Sequence, residues 1–369
     1  MRSATTVEVS GSRSETIDFV LEAERLGLDV CWVAEAWGSD APSVLGYLAA
    51  RTDRMSLGSG IIQIGTRTPV AIAQAALTLA DLSDGRFLLG LGASGPQVIS
   101  GLHGLPFDRP LRRMQENIDV IRQVFAGEKV NYHGDIITIP ADDSTRPMRL
   151  SMAPNDGIPI YLAALSPKML QLTGAVADGW LGTSFVPEGS SAYFEHLDAG
   201  LASAGRTRAD LDVCQGAEIA IFDDEDAMTR HIAGRKAELA FSLGGMGSAS
   251  TNFYNAAYSR QGWAEVAGQV RTRWQAGDRR GAAELITDDM VLATTLIGTR
   301  EIVARRLRVW RDAGVDTVRM YPAGETTTQK LDNLAHGLEL LGEINAEATA
   351  GLGDPIVRSS GDTCTTRYE

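Results

Sequence analysis

Residues Leu57–Gly104 read LGSGIIQIGTRTPVAIAQAALTLADLSDGRFLLGLGASGPQVISGLHG. The order is strand, helix, strand. An apolar run, Leu57–Ile64, is interrupted by Gly58, Ser59 and Gly60. A helix follows from Pro69, a residue suited to the first helical turn, and Asp84-Gly85 stops it. A second apolar run, Phe87–Leu91, opens into Gly92-Ala93-Ser94-Gly95-Pro96. Continuous apolar strands joined by a helix are the pattern of parallel strands buried on both faces. Such folds bind ligands at the carboxyl ends of their strands. Backbone without side chains at two neighbouring strand ends lets a flat ring approach closely.

Outward from this unit, strand and helix patterns alternate about eight times, which predicts a single (β/α)8 TIM barrel with insertions at the C-terminal face of the strands. The expected strands are Thr5–Val9, Asp29–Ala34, Leu57–Gln63, Phe87–Gly92, Ile158–Ala163, Gly179–Thr183, Asp212–Ile221 and Asp316–Tyr321. Ser12-x-x-Glu15 is a capping box for a helix ended by Gly27, and Thr299 caps a helix ended by Gly314. The barrel is expected to span 1–347, with insertions at about 130–157 and 241–290 and a flexible tail at 348–369. The first insertion contains a hairpin, Asn131–Ile139, around His133-Gly134-Asp135. The second carries GGMGSASTNFYNAAYSRQGW (Gly244–Trp263), expected to fold across the barrel mouth as a lid, with a dimer-interface segment as the alternative.

The 369 residues carry a net charge of −13 and 44% hydrophobic residues, enough for a large core and unsuited to a nucleic-acid face. Cys31, Cys214 and Cys364 have no metal-ligand spacing, and no His, Cys or carboxylate cluster points to a metal. Reduced packing thiols and the lack of a transmembrane or signal pattern suggest a cytoplasmic protein without a membrane partner. There is no GxGxxG and no GxxxxGK[ST] to form a nucleotide loop.

GASGPQV (Gly92–Val98) followed by Gly101-x-His103-Gly104 closely resembles the bacterial luciferase-like superfamily, in the branch that uses the deazaflavin coenzyme F420 and includes methylenetetrahydromethanopterin reductase. WVAEAWGSDA (Trp32–Ala41) and YLAALSPKMLQLTGAVADGWLG (Tyr161–Gly182) carry the same likeness, which runs from about Glu15 to Ile344. The resemblance implies a cofactor, F420, and a non-proline cis peptide at Gly60-Ile61 that forms a bulge behind the ring, with Gln63 beside it. It further implies that Ala93, Ser94 and Gly95, with Ala163, Ala164, Leu165 and Ser166, hold the phospholactyl and ribityl parts. Without it, Gly60 reads as a kink at a barrel corner and the two small-residue runs as tight turns.

Glu35 ends the second strand. Some relatives carry an Asp-His pair at the positions matching Glu35 and Ala36; Ala36 removes the histidine here, so that acid–base role does not transfer. Glu35 is then expected to accept a hydrogen bond from the coenzyme ring hydroxyl, the alternative being a cap on the helix begun near Pro42, the role that Asp40 suggests. His103, on the Gly101–Gly104 turn, is the candidate proton carrier, since imidazole titrates near neutrality. His133, His196, His231 and His336 fall in loops or on helix faces. The chain also has a short opening, ATTVEVSGSRSE, where relatives have a longer first strand and loop.

Together these features predict an F420-dependent oxidoreductase moving a hydride between the deazaflavin C5 and a small-molecule or peptide-borne substrate. A homodimer follows from the resemblance. An FMN-dependent luciferase-like monooxygenase and a non-catalytic cofactor-binding barrel are the alternatives.

Overall fold

The structure, a computed structural model, describes residues 1–9, 12–247 and 252–351. The 248–251 part of the expected lid and residues 352–369 of the expected tail, with Cys364, lie outside the described residues. Eight parallel strands close into a barrel: β1 (Arg2–Val7), β2 (Val30–Val33), β3 (Ser56–Ser59), β4 (Phe87–Gly92), β5 (Ile160–Ala163), β6 (Gly179–Leu181), β7 (Asp212–Ile221) and β8 (Thr317–Pro322). The ring shuts where β1 pairs with β8, in the register Arg2↔Thr317 and Ala4↔Arg319. Helices α1 (Arg13–Arg25), α2 (Ala41–Ala49), α3 (Pro69–Leu82), α4 (Pro110–Phe125), α5 (Pro167–Val176) and α6 (Ser191–Ser203) follow β1 to β6 in turn. The TIM barrel expected from the alternating pattern is therefore present.

Local signals act as read. Ser12 Oγ accepts the Glu15 N–H at the start of α1, and Gly27 leaves that helix with φ +97°. Asp84 and Gly85 both take positive φ after α3. β4 and β7 have the expected bounds. β1 is displaced, running Arg2–Val7 rather than Thr5–Val9. Tertiary pairing decides this: Arg2 reaches Asp212 at 2.6 Å and the Tyr161 hydroxyl at 3.2 Å across the bottom of the barrel. β3 stops at Ser59, and pairing with β4 resumes at Ile62–Gln63. A short strand at Leu296–Gly298, absent from the expected set, pairs with the end of β7.

The lumen is filled low down by Ala4, Val30, Trp32, Leu88, Tyr161, Leu181 and Cys214, with the Trp32 and Tyr161 rings edge to face at 5.0 Å. The larger core lies between barrel and helices. Cys31 and Cys214 are free and buried, and burial pushes both thiols up to about 12.

Two additions depart from a plain barrel. The hairpin pairs Tyr132–His133 with Thr138–Ile139. The second addition is a layer formed by α7 (Glu225–Gly244), α8 (Phe253–Tyr258), α9 (Ala264–Gln275), α10 (Arg279–Glu284) and α11 (Asp288–Ala293). It begins earlier than the expected boundary at 241, because α7 itself packs into it. Its own core joins Ile232, Leu243, Tyr258 and Val270 to the strand-end residues Val186, Ala220 and Ile297. Helices α12 (Arg300–Asp312) and α13 (Thr327–Gly351) complete the shell, α13 continuing four residues into the segment read as a tail from 348.

Glu116, on α4, holds the hairpin. Its buried carboxylate accepts the N–H groups of Asp135, Ile136 and Ile137 at 2.7, 3.0 and 2.8 Å, and Arg112 at 2.8 Å. Burial opposes ionisation, but these donors outweigh it and hold Glu116 below the usual carboxylate range. The stabilisation is therefore present above the unfolded carboxylate value and fades as pH falls through the folded one. Glu116→Gln should lower unfolding free energy by about 1–3 kcal/mol at pH 7 in urea titrations, and the gap from wild type should narrow in acid.

Candidate active site at the strand ends

The site begins where β3 and β4 meet. Ser59 Oγ donates to the Gly90 carbonyl and accepts the Gly90 N–H, both at 2.9 Å. A Cβ on Gly90 would lie 1.9 Å from the Ser59 carbonyl oxygen, so only glycine permits this approach. Next along, the Gly60–Ile61 peptide is cis, as the resemblance implied. Ile61 packs onto the lumen cluster, and a Cβ on Gly92 would lie 2.7 Å from its side chain. Gly60, Ile61, Gly92 and Ala163 thus form a floor above Trp32 with little side chain on it.

Gln63 Oε1, two residues past Ile61, has no protein partner among the described residues, and neither do Thr6 Oγ1 and Trp32 Nε1. Gln63 is buried, and its amide nitrogen donates to the Glu35 and Ala36 carbonyls at 3.1 and 3.0 Å. That leaves Oε1 fixed with unused acceptor capacity. Thr6 sits opposite Trp32 in register, on the lumen side. Unpaired buried polar atoms are uncommon in native proteins, and a ligand edge is one way to satisfy them.

Beyond the floor, Ser94 takes φ +60°, and Gly95 O accepts from Val98 and Ile99 N–H at 3.1 and 3.0 Å. Ala163, Ala164, Leu165 and Ser166 lead into α5. Ser166 is its N-cap residue yet makes no side-chain cap bond, and Pro167 follows. Both runs are tight turns opening helical segments, and both lie at the mouth.

Glu35 is placed differently from its expected role. Arg67 pairs with both carboxylate oxygens, and Glu35 Oε2 also accepts the Ala41 N–H at 2.9 Å. With its side chain 12% exposed, the carboxylate clamps the loops after β2 and β3. Asp40 caps α2 through Ser43 N at 2.8 Å and pairs with Arg67. Burial opposes its ionisation, but the Ser43 bonds and the Arg67 charge prevail and hold it low. His103 lies exposed at the end of the helical turn Gln97–Leu102, with no side-chain partner among the described residues.

Sequence reading missed the residues that tie the helical layer to the strand ends. Arg260 donates to the Leu165 carbonyl at 2.6 Å. Gln261 accepts the Val186 N–H at 2.7 Å and donates to the Ser184 carbonyl at 2.7 Å. The layer is therefore fastened to the ends of β5 and β6. Asn252, within the expected lid, caps α8 and bonds the Leu243 carbonyl at 2.9 Å. A larger surface groove, lined by Glu24, Arg25, Arg51 and Arg54 among others, lies where strands begin, at the other end of the barrel. Among the described residues no cluster suited to a metal ion occurs.

The family model for luciferase-like monooxygenases matches residues 1–317. A Mycobacterium tuberculosis protein, provisionally named a coenzyme F420-dependent oxidoreductase, is 40% identical over 83% of this chain and 90% of its own length. The 5,10-methylenetetrahydromethanopterin reductase of Archaeoglobus fulgidus is 31% identical, covering 81% and 87% respectively. In structure, the coenzyme F420-dependent tetrahydromethanopterin reductase of Methanopyrus kandleri superposes with a TM-score of 0.76 at 24% identity, over 90% of this chain and 97% of that one.

The β3–β4 approach can be tested directly. Gly90→Ala should cost about 1–3 kcal/mol or prevent folding, because the new methyl meets fixed backbone. Gly268→Ala, on the exposed face of α9 with open space around it, should be neutral or stabilise by up to about 1 kcal/mol. Urea unfolding of both variants checks the contrast.

Proposed function

The chain belongs to the luciferase-like monooxygenase family, and from that premise we propose that it transfers a hydride between coenzyme F420 and a small organic substrate. The observation that carries the reading is the bare floor of Gly60, Ile61, Gly92 and Ala163 with the unpartnered Gln63 Oε1 at its edge. A flat ring with hydrogen-bonding edges fits such a floor. Ala93–Gly95 and Ala163–Ser166 would hold the ribityl and phospholactyl parts, backbone N–H groups at helix starts favouring the phosphate. When bound, the coenzyme supplies or accepts the hydride at C5.

The protein's own contribution is position and exclusion of water. Trp32 supports the floor from below. The helical layer, stitched across the mouth by Arg260 and Gln261, supplies the covering wall. Tyr254 of that layer is half-buried, and burial raises its hydroxyl pKa, with Tyr321 nearby adding to the shift. Among the described residues no helix is long and apolar enough to cross a membrane. A homodimer in the cytoplasm belongs to the same reading, by family resemblance.

Fluorescence titration of the full chain with F420, FMN and NADPH tests the cofactor choice. F420 should bind at least about tenfold tighter than FMN, a difference of about 1.4 kcal/mol, and NADPH should bind least. Equal or tighter FMN binding would overturn the assignment in favour of a flavin enzyme. The covering role has its own check. Asn255 and Tyr258 are buried, so excising 248–258 would unseat the layer; Tyr254→Ala is the milder probe. It should leave F420 affinity within about threefold while lowering turnover, which separates a wall of the substrate pocket from a part of the cofactor site.

A further inference from the structure

We propose that His231 is the catalytic acid and base of this mouth, donating or accepting the substrate proton, with Glu218 as its positioning residue; the proposal rests on the hydride-transfer reading above. Residues Asp212, Cys214, Gly216 and Glu218 alternate along β7, and Cys214 belongs to the lumen cluster. Glu218 therefore faces the lumen near its mouth, opposite Tyr321 in register and 11% exposed. From α7 above it, His231 Nε2 lies 3.1 Å from Glu218 Oε1 and Arg235 Nε lies 2.6 Å from Glu218 Oε2.

This geometry assigns roles. With the Arg235 guanidinium beside its Oε2, Glu218 offers Oε1 as an acceptor, and His231 Nε2 carries the hydrogen between them. Nδ1 is then the working nitrogen, and it has no partner among the described residues. The ring is 28% exposed and braced by Phe222, whose centroid is 5.2 Å away. A base oriented by a carboxylate through its other nitrogen is the arrangement that fixes tautomer and aim. The charged or titratable groups around it are Glu218 on β7, Arg235 on α7, Tyr321 on β8 and Tyr254 on α8. Arg235 alone already pins α7 to β7, so anchoring does not require an imidazole.

The chemistry needs such a group. When a hydride and its electron pair add to a carbonyl carbon, the C=O π bond breaks and its electrons move to oxygen. His231, as imidazolium, gives that oxygen a proton at Nδ1 and is left neutral, to be reprotonated by water. The substrate is reduced and the coenzyme oxidised. In reverse, neutral His231 takes the hydroxyl proton as the carbon surrenders its hydride. Glu218 and His231 are far enough apart in sequence, one on a strand and one on a helix, that no motif reveals the pair.

The test uses the full chain with reduced F420 and menadione, and with oxidised F420 and 2-propanol, comparing wild type, His231→Gln and Glu218→Gln. F420 affinity should stay within about twofold while kcat falls at least about 100-fold in His231→Gln, with a smaller loss in Glu218→Gln. The wild-type pH profile of kcat should lose one limb in His231→Gln. Independently of turnover, proton NMR of the coenzyme-free chain should show an imidazole signal, missing from His231→Gln, whose position moves in Glu218→Gln. Turnover kept within about threefold with an unchanged pH profile would overturn the assignment while leaving the cofactor reading intact. If wild type binds F420 but turns over neither probe, the NMR result decides, a His231 signal that does not move in Glu218→Gln overturning the proposal. A wild-type chain that does not bind F420 overturns both readings.

Discussion

The hydrogen bonds from one hydroxyl, Ser59 Oγ, to both backbone polar groups of Gly90 set the shape of the barrel mouth. They draw β3 against β4 more closely than any side chain at position 90 would allow. Gly58 extends the same constraint downward, since a Cβ there would meet the Trp32 ring at 2.4 Å. Trp32 can then fill the lumen as a plug, and the strand ends above it are left nearly bare. Floor, frame and mouth follow from that packing.

The second constraint is the way the long addition after β7 is anchored. Helices α7 to α11 make their own core, so they need not lie along the barrel wall. Gln261 and Arg260 fasten them to the ends of β5 and β6, and the strand at Leu296–Gly298 fastens them to β7. One half of the mouth is thereby walled by helix. The other half, after β2 and β3, is closed by the Glu35–Arg67–Asp40 cluster. The two halves differ in kind. The first is packed helix resting on Glu218 through His231 and Arg235, and the second consists of backbone and paired charges.

Much of this was legible in the chain. Phe87–Gly92 and Asp212–Ile221 are apolar runs with sharp turn residues at their ends, and their bounds came out as read. Helix starts at Ser12, Pro69 and Thr299 depend on neighbours in sequence, and they too were readable. What escaped depends on partners far along the chain. Arg2 joins β1 because Asp212 and Tyr161 lie across the lumen. Glu35 reads as a free strand-end carboxylate until Arg67 is folded beside it. Arg260, Gln261 and the Glu218–His231 pair carry no motif, because their meaning arises only when a strand end and a helix meet.

The central claim is that the bare strand ends, and no other surface, receive the coenzyme. A crystal structure of the full chain with F420 tests it most directly. The ring should lie over Gly60–Ile61 and Gly92, with Gln63 Oε1 at its edge and its tail against Ala93–Gly95 and Ala163–Ser166. A coenzyme seated elsewhere, for example in the arginine-lined groove at Arg25, Arg51 and Arg54, with the strand ends empty, would contradict it.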